Sequence, residues 1–349
     1  MTKNLFLANV PVVGAEARPS ETGVVKSQNE ISSTGQEEHD QATTAASAVE
    51  LQELASNNYH GKAIYKPSGK AGEYSPWAAN LYNGCPHACS YCYNDKGLTR
   101  GTLGGTNVRL KTTLVNEQTA FKIFCKELNK WRDPIIRDGA LHFNFVSDPC
   151  LPVTIDLNWR CIDYAIANNV PCQVLTKRAD WLSHPAVQNA LRHSDLLHVG
   201  FSLTGRDDLE PGASKNGERI GAMKTLHEMG ITTWASIEPI IDPDLSFQMI
   251  TRTVGFCDHY KIGILSGRKD YSPQQIRSFV AEVNALNLDN DNVYWKKSLL
   301  EFTKKEAEKA EKEAAPAAAT GIAPEENEAI QHIEYMKNDG IRRFHGFIP

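Results

Sequence analysis

The sequence predicts an α/β fold built on parallel strands, and three observations carry that prediction. Six apolar runs of strand length alternate strictly with helix-like stretches between residues 60 and 300. Most of the runs end in polar or turn residues, and a hydrophobic content of 41% over 349 residues suffices for a large buried core. Strict alternation requires right-handed crossovers between parallel strands. The expected architecture is therefore a partial (β/α)6 TIM-like barrel, with a doubly wound open sheet as the alternative.

The runs are "AANLYNG" (78–84), "ALHFNFVSD" (140–148), "PCQVLTK" (171–177), "LLHVGFSLT" (196–204), "TTWASIEPI" (232–240) and "HYKIGILSG" (259–267). β-branched and aromatic residues mark them as strands. Between them lie "VNEQTAFKIFCKELNKW", "TIDLNWRCIDYAIANN", "PAVQNALRHS", "GERIGAMKTLHEMG", "LSFQMITRTVG" and "SPQQIRSFVAEVNAL". In the second of these, Leu157, Cys161, Tyr164 and Ile166 fall near helical spacing, and Gly230 closes the fourth as a C-terminal stop.

Both ends of the chain differ from this pattern. Residues 1–59 form an expected disordered segment, rich in Ser, Thr, Gln, Glu and Ala with scarcely an aromatic. Residues 301–349 read as a charged helix, in which "KKEAEKAEKE" sets Lys304 four residues before Glu308, then a linker and a C-terminal tail. The net charge of −5 resides in the first 60 residues, which carry Lys3, Arg18 and Lys26 against eight Asp and Glu. The remainder is neutral, so charge gives no support to a nucleic-acid partner.

Eight cysteines in a chain of this length form no disulfide framework, which points to a reducing, cytoplasmic setting and to metal. Asn9 and Pro11 interrupt the short N-terminal apolar run, which argues against a secretory signal, and no run is long enough for a membrane helix.

In a parallel α/β fold, function belongs at the C-terminal ends of the strands. Directly after the first run comes "GCPHACSYCY", which places Cys85, Cys89 and Cys92 at C-x3-C-x2-C spacing. Thiolates select zinc or iron-sulfur clusters. A structural zinc site closes with four ligands, and His87, inside the same loop, is the only fourth ligand at hand for a non-catalytic zinc-binding module. Three cysteines on a four-iron cluster instead leave one iron open to a small molecule.

The motif, with an aromatic before its last cysteine and on the loop after the first strand, resembles the radical S-adenosylmethionine (SAM) superfamily. Within it, "NLYNGCPHACSYCY", "VLTKR", "SLTGRDDLEPGASKNGERIGAMKTLHEMGI" and "SIEPII" resemble the spore photoproduct lyase-like group and its uncharacterised relatives, over residues 60–300. The resemblance implies a barrel of the radical SAM type and a 4Fe-4S cluster on Cys85, Cys89 and Cys92. It implies an enzyme that reductively cleaves SAM to methionine and a 5′-deoxyadenosyl radical, which takes hydrogen from a substrate. A low-potential electron donor such as flavodoxin or ferredoxin is the implied partner, and DNA repair or nucleic-acid modification is the alternative activity.

By the same resemblance Tyr91 lies near the adenine, Ser147 and Asp148 hold the SAM amino group, Lys177 pairs with its carboxylate and Ser202 makes a polar contact. Each has a plainer reading: loop packing for Tyr91, a solvated strand end for Lys177, a small core residue for Ser202. Glu238 at the barrel mouth would bind the ribose or amino group, or pair with a Lys or Arg to hold the barrel together. Arg178, Arg206, Arg268 and Lys269 gather at the same rim and would receive a phosphate or carboxylate, or form an ordinary charged rim. Trp181, Trp234 and Trp295 read as core before they read as stacking platforms.

Cys125, Cys161, Cys172 and Cys257 read as small buried hydrophobes. Lyases of the resembling group carry a hydrogen-donating cysteine three positions before the matching Asp, where this sequence has Phe145. Cys150, two positions after Asp148, is the candidate displaced donor, and the departure puts the lyase reaction itself in question.

Overall fold

The computed structural model describes residues 60–96, 103–192, 194–288 and 292–304. The expected N-terminal segment and nearly all of the C-terminal tail, including the charged helix, lie outside them.

Strands form in all six expected runs, as β2 (Trp77–Ala79), β5 (Leu141–Phe143), β6 (Cys172–Thr176), β7 (Leu197–Ser202), β8 (Thr232–Ile240) and β9 (His259–Ile264), but of the first run, 78–84, only the start joins this sheet. Two short strands extend the row: β1 (Ile64–Tyr65), antiparallel to β2, and β10 (Val293–Trp295), parallel to β9. The result is one eight-stranded sheet in the order β1-β2-β5-β6-β7-β8-β9-β10, parallel from β2 onward. A separate hairpin pairs β3 (Tyr82–Asn83) with β4 (Arg109–Leu110).

Five helices return the chain between strands: α1 (Glu117–Asp138), α2 (Ile155–Ala167), α3 (Asn216–Glu228), α4 (Pro243–Thr251) and α5 (Pro273–Ala285). Their starts follow local chemistry. Asn116 accepts from Thr119 N, Asp242 from Leu245 N and Ser272 from Gln275 N, and Pro243 and Pro273 occupy first turns where no N–H is needed. α1 buries Ala120, Phe124, Leu128, Trp131 and Ile135, a single helical stripe. The segment "PAVQNALRHS" does not form the expected helix but breaks into 3-10 turns at Pro185–Val187 and Ala190–Arg192. Ten residues are marginal for nucleation, and short 3-10 turns suffice as a connector.

The sheet curls. β5 and β8 are three strand spacings apart, about 14 Å in a flat sheet, yet the rings of His142 and Trp234 lie 6.4 Å apart. Tyr74 sits between them, at 5.9 Å from His142 and 6.0 Å from Trp234. β10 pairs with β9 and not with β1, so the barrel is partial, and residues 69–75 fill the gap. Lys261 Nζ donates to Tyr74 O at 2.6 Å, Lys296 Nζ to Lys70 O at 3.2 Å, and Lys297 N to Glu73 Oε1 at 2.8 Å. The Tyr74 hydroxyl donates to Glu238 at 2.6 Å and so accepts from Ser236 Oγ at 2.7 Å. Glu238 also pairs with the buried Lys296.

Glu238 thus makes the contacts of its second reading, pairing with Lys296 and bonding Tyr74 across the gap between the first and last strands. Trp181, Trp234 and Trp295 are buried, as are Cys161, Cys172 and Cys257, while Cys125 is half-buried.

Burial, and then the neighbouring Lys296, pull the Lys261 ammonium down to about 7, against roughly 10.4 for a free lysine. Between those values the unfolded chain binds a proton that the folded chain does not, so this residue makes stability rise with pH across that window. The stability of wild type relative to Lys261→Met, measured by denaturant unfolding, is expected to increase from about pH 7 to about pH 10. A difference independent of pH would contradict this.

Candidate metal centre

The three thiols are brought together by the turn that follows β3. Gly84 adopts φ +83°, and a Cβ there would stand 2.2 Å from Asn107 O, so only glycine lets the chain pass beneath residues 105–107. Cys85 N then donates to Gly105 O at 2.9 Å, Ala88 takes a left-handed φ of 51°, and Cys92 N donates to Cys89 O at 3.0 Å. Cys85, Cys89 and Cys92 line one small cavity, whose wall is completed by residues that include His87, Asn94, Asp95 and Gly104.

The loop is seated on the segment that follows β7. Ser90 N donates to Leu209 O at 3.0 Å and Gly212 N to His87 O at 3.0 Å. Gly212 comes so close that a Cβ would lie 2.1 Å from Pro86 O. Tyr91 Oη donates to Glu210, a carboxylate that also pairs with Arg219 and, at 3.4 Å, with Lys177. Burial raises the Glu210 pKa, but Lys177 and Arg219 outweigh it and hold the carboxyl below its usual range.

His87 is committed. Its Nε2 meets Asp148 Oδ2 at 2.8 Å and its Nδ1 meets Gly212 O at 3.0 Å, so neither ring nitrogen faces a metal in this arrangement. Among the described residues no three His, Cys, Asp or Glu side chains converge closely enough to hold a single ion.

Asp148 is committed as well. Cys150 N at 2.8 Å and Thr176 Oγ1 at 2.8 Å reach Oδ1, and His87 together with Lys177 N at 2.8 Å reaches Oδ2. Burial raises its pKa, and the His87 hydrogen bond and charge with the two backbone donors outweigh that and lower it. The carboxylate expected to hold an ammonium therefore spends its acceptors on the protein, tying the cysteine loop to the ends of β5 and β6.

Burial, followed by the Asp148 carboxylate, raises the Cys85 thiol far above its ordinary value. Burial raises Cys89 too, opposed by Lys177, which places that ammonium within electrostatic reach of the site. Thiols raised in this way hold their protons, and a metal bound there would have to displace them.

The other expected residues divide. Lys177 Nζ lies 5.6 Å from the Tyr91 ring centroid, so these two stand together beside the cysteines. The Ser147 hydroxyl is buried with no hydrogen-bond partner, as is Asn94 Oδ1 in the cavity wall. Tyr93 Oη donates to Phe145 O and Asn94 Nδ2 to Val146 O at 3.3 Å, which lays the segment before Ser147 against the cysteine loop. Ser202 is buried, and its carbonyl accepts from Arg219 Nη1 at 2.7 Å. Cys150, at 2% exposure, is packed into the hydrophobic core instead of standing at the mouth, and burial raises its thiol well above the usual range. The rim arginines carry their own counter-ions: Arg178 pairs with Asp180, Arg206 with Asp208 at 2.8 Å and Arg268 with Asp270 at 3.7 Å.

Glu210, Arg219 and the His87 brace are the functional residues missing from the sequence reading. Arg219 left a trace, since it shares the buried stripe of α3 with Asn216, Ile220, Met223 and Leu226. A charge on such a stripe needs a buried partner.

No protein-family model matches the chain. Over 183 residues, 48% of the chain, it is 30% identical to an uncharacterized protein of Methanocaldococcus jannaschii, and it spans 61% of that protein's length. Among solved structures, a spore photoproduct lyase mutant with bound AdoMet and dinucleoside spore photoproduct superposes with a TM-score of 0.44 at 20% identity, covering 64% of each chain. SuiB of Streptococcus suis superposes with a TM-score of 0.47 at 13% identity, covering 77% of this chain and 57% of its own. Both scores lie below 0.5, so the function is inferred from the site's own residues.

Removing the partner of a hydrogen bond to a buried carboxylate leaves that acceptor unfilled, at roughly 1–3 kcal/mol. His87→Ala is expected to destabilise the chain by about that amount in denaturant unfolding, with the metal stoichiometry of reconstituted protein unchanged. Unaltered stability together with loss of one metal ligand would instead make His87 a ligand.

Proposed function

We propose that the chain is a radical SAM enzyme in which Cys85, Cys89 and Cys92 hold a 4Fe-4S cluster whose remaining iron is open to SAM. One observation carries the reading: three thiols line a single cavity while the one imidazole beside them has both nitrogens occupied. A single zinc would need four ligands converging on one atom, and the arrangement does not supply them. A cluster asks each thiolate to reach a different iron, which thiols spread around a shared cavity suit better. When bound, the reduced cluster supplies an electron to SAM, giving methionine and a 5′-deoxyadenosyl radical that abstracts hydrogen from a substrate.

The chain's own residues bind, orient and shield. Lys177 offers an ammonium for the SAM carboxylate beside the cysteines, and Ser147 and Asn94 offer buried polar atoms without protein partners. Tyr91 has its hydroxyl engaged with Glu210, leaving its ring for packing. The filled barrel interior keeps water from the far side of the site.

Cys150 is too buried to be favoured as hydrogen donor. The rim's paired arginines favour a substrate other than a polyanion, so nucleic acid is the weaker reading. A reducing compartment and a low-potential donor such as flavodoxin or ferredoxin belong to the same proposal. Among the described residues no helix is long and apolar enough to cross a membrane.

Anaerobic reconstitution tests the reading. The chain is expected to take up about four irons with broad visible absorption and, once reduced, to convert SAM to 5′-deoxyadenosine. Cys89→Ala is expected to lose both iron and product, while Lys177→Ala retains iron and binds SAM about tenfold more weakly. A colourless chain holding one zinc would overturn the proposal in favour of a binding module.

A further inference from the structure

The carboxylate of Glu210 is fully buried, and every partner it has bears on the cysteine loop or anchors it. Arg219 is a fixed anchor: Nε donates to Ser214 O at 2.8 Å, Nη1 to Ser202 O at 2.7 Å, and Nη2 to Glu210 Oε2. With each nitrogen of its fork engaged, the guanidinium cannot swing. The opposite oxygen, Oε1, takes the Tyr91 hydroxyl and faces Lys177. Tyr91 lies between Cys89 and Cys92 in sequence, so this bond grips the second half of the motif, whereas the backbone bond and close packing at Gly212 hold its first half.

We infer that Glu210 is a positioning residue for the metal loop: anchored by Arg219, it fixes Cys89 and Cys92 in place through the Tyr91 hydroxyl. The assignment rests on the cluster reading for its purpose, while its geometry is made of the chain's own side chains. It separates Glu210 from an ordinary buried ion pair, because a pair serving stability alone would need Arg219 and not Tyr91.

Thiol labelling of the iron-free full chain tests it. Wild type, Tyr91→Phe, Glu210→Asp and Glu210→Gln are pulsed with iodoacetamide, and labelling is read peptide by peptide. Cys161 and Cys172, at 0% exposure, report global opening. Loss of a hydrogen bond to a charged group is expected to speed Cys89 labelling roughly tenfold in Tyr91→Phe, with Cys161 and Cys172 unchanged. Glu210→Asp keeps the charge for Arg219 but shortens the reach to Tyr91, so it is expected to behave as Tyr91→Phe does, even if Glu210→Gln fails to fold.

Wild-type labelling rates in Tyr91→Phe and Glu210→Asp would overturn the assignment, as would equal acceleration at Cys161. Reconstituted variants are expected to lose iron to a chelator faster by a similar factor. If wild type itself takes up no iron, the cluster reading falls, whereas the labelling rates still decide the role of Glu210.

Discussion

The site depends on one buried carboxylate. Asp148 is reached by donors from the cysteine loop, from the turn after β5 and from the end of β6. A carboxylate withdrawn from water is costly unless its lone pairs are filled, and here filling them requires three segments to meet at one point. The requirement makes the cysteine loop part of the barrel instead of an appendage to it. It also determines what His87 does, because an imidazole held between Asp148 and the Gly212 carbonyl serves as a brace.

The two ends of the barrel have been given opposite characters by similar chemistry. Inside, Tyr74, Ser236, Glu238, Lys261 and Lys296 satisfy one another and close the gap between the first and last strands. At the mouth, Asn94 and Ser147 keep buried polar atoms without partners, next to thiols that hold their protons. Unfilled hydrogen-bonding capacity is expensive in a protein interior, and the barrel interior carries some as well, at both ring nitrogens of His142. Glu210 belongs to neither group, since it joins a fixed arginine to the cysteine loop.

The strands were legible because apolar β-branched runs ending in turn residues have few other outcomes, and all six formed in parallel. β1 and β10 were not, being two and three residues long and below the length at which a pattern can be recognised. The cysteine spacing was legible because it is local. The roles of His87 and Tyr91 were not, because their partners lie 61 to 125 positions away. Glu238 had two readings, and its ion pair with Lys296 has a local signature. Trp234, Ser236 and Glu238 alternate along β8, and all three reach Tyr74, so parity places the carboxylate inside the barrel. Position at a strand end names the rim, and only alternation says which way a side chain turns. Cys150 was placed by the same reasoning at the rim, two residues after a carboxylate that in fact faces inward.

In the proposed enzyme three thiolates would leave one metal corner without a protein ligand, for SAM to occupy. Electron-nuclear double resonance on the reduced, reconstituted chain tests it most directly, using SAM labelled at its amino nitrogen and carboxylate oxygen. Hyperfine coupling from both labels to the cluster is the predicted result. Coupling from a histidine nitrogen of the chain, or none from either label, would contradict it.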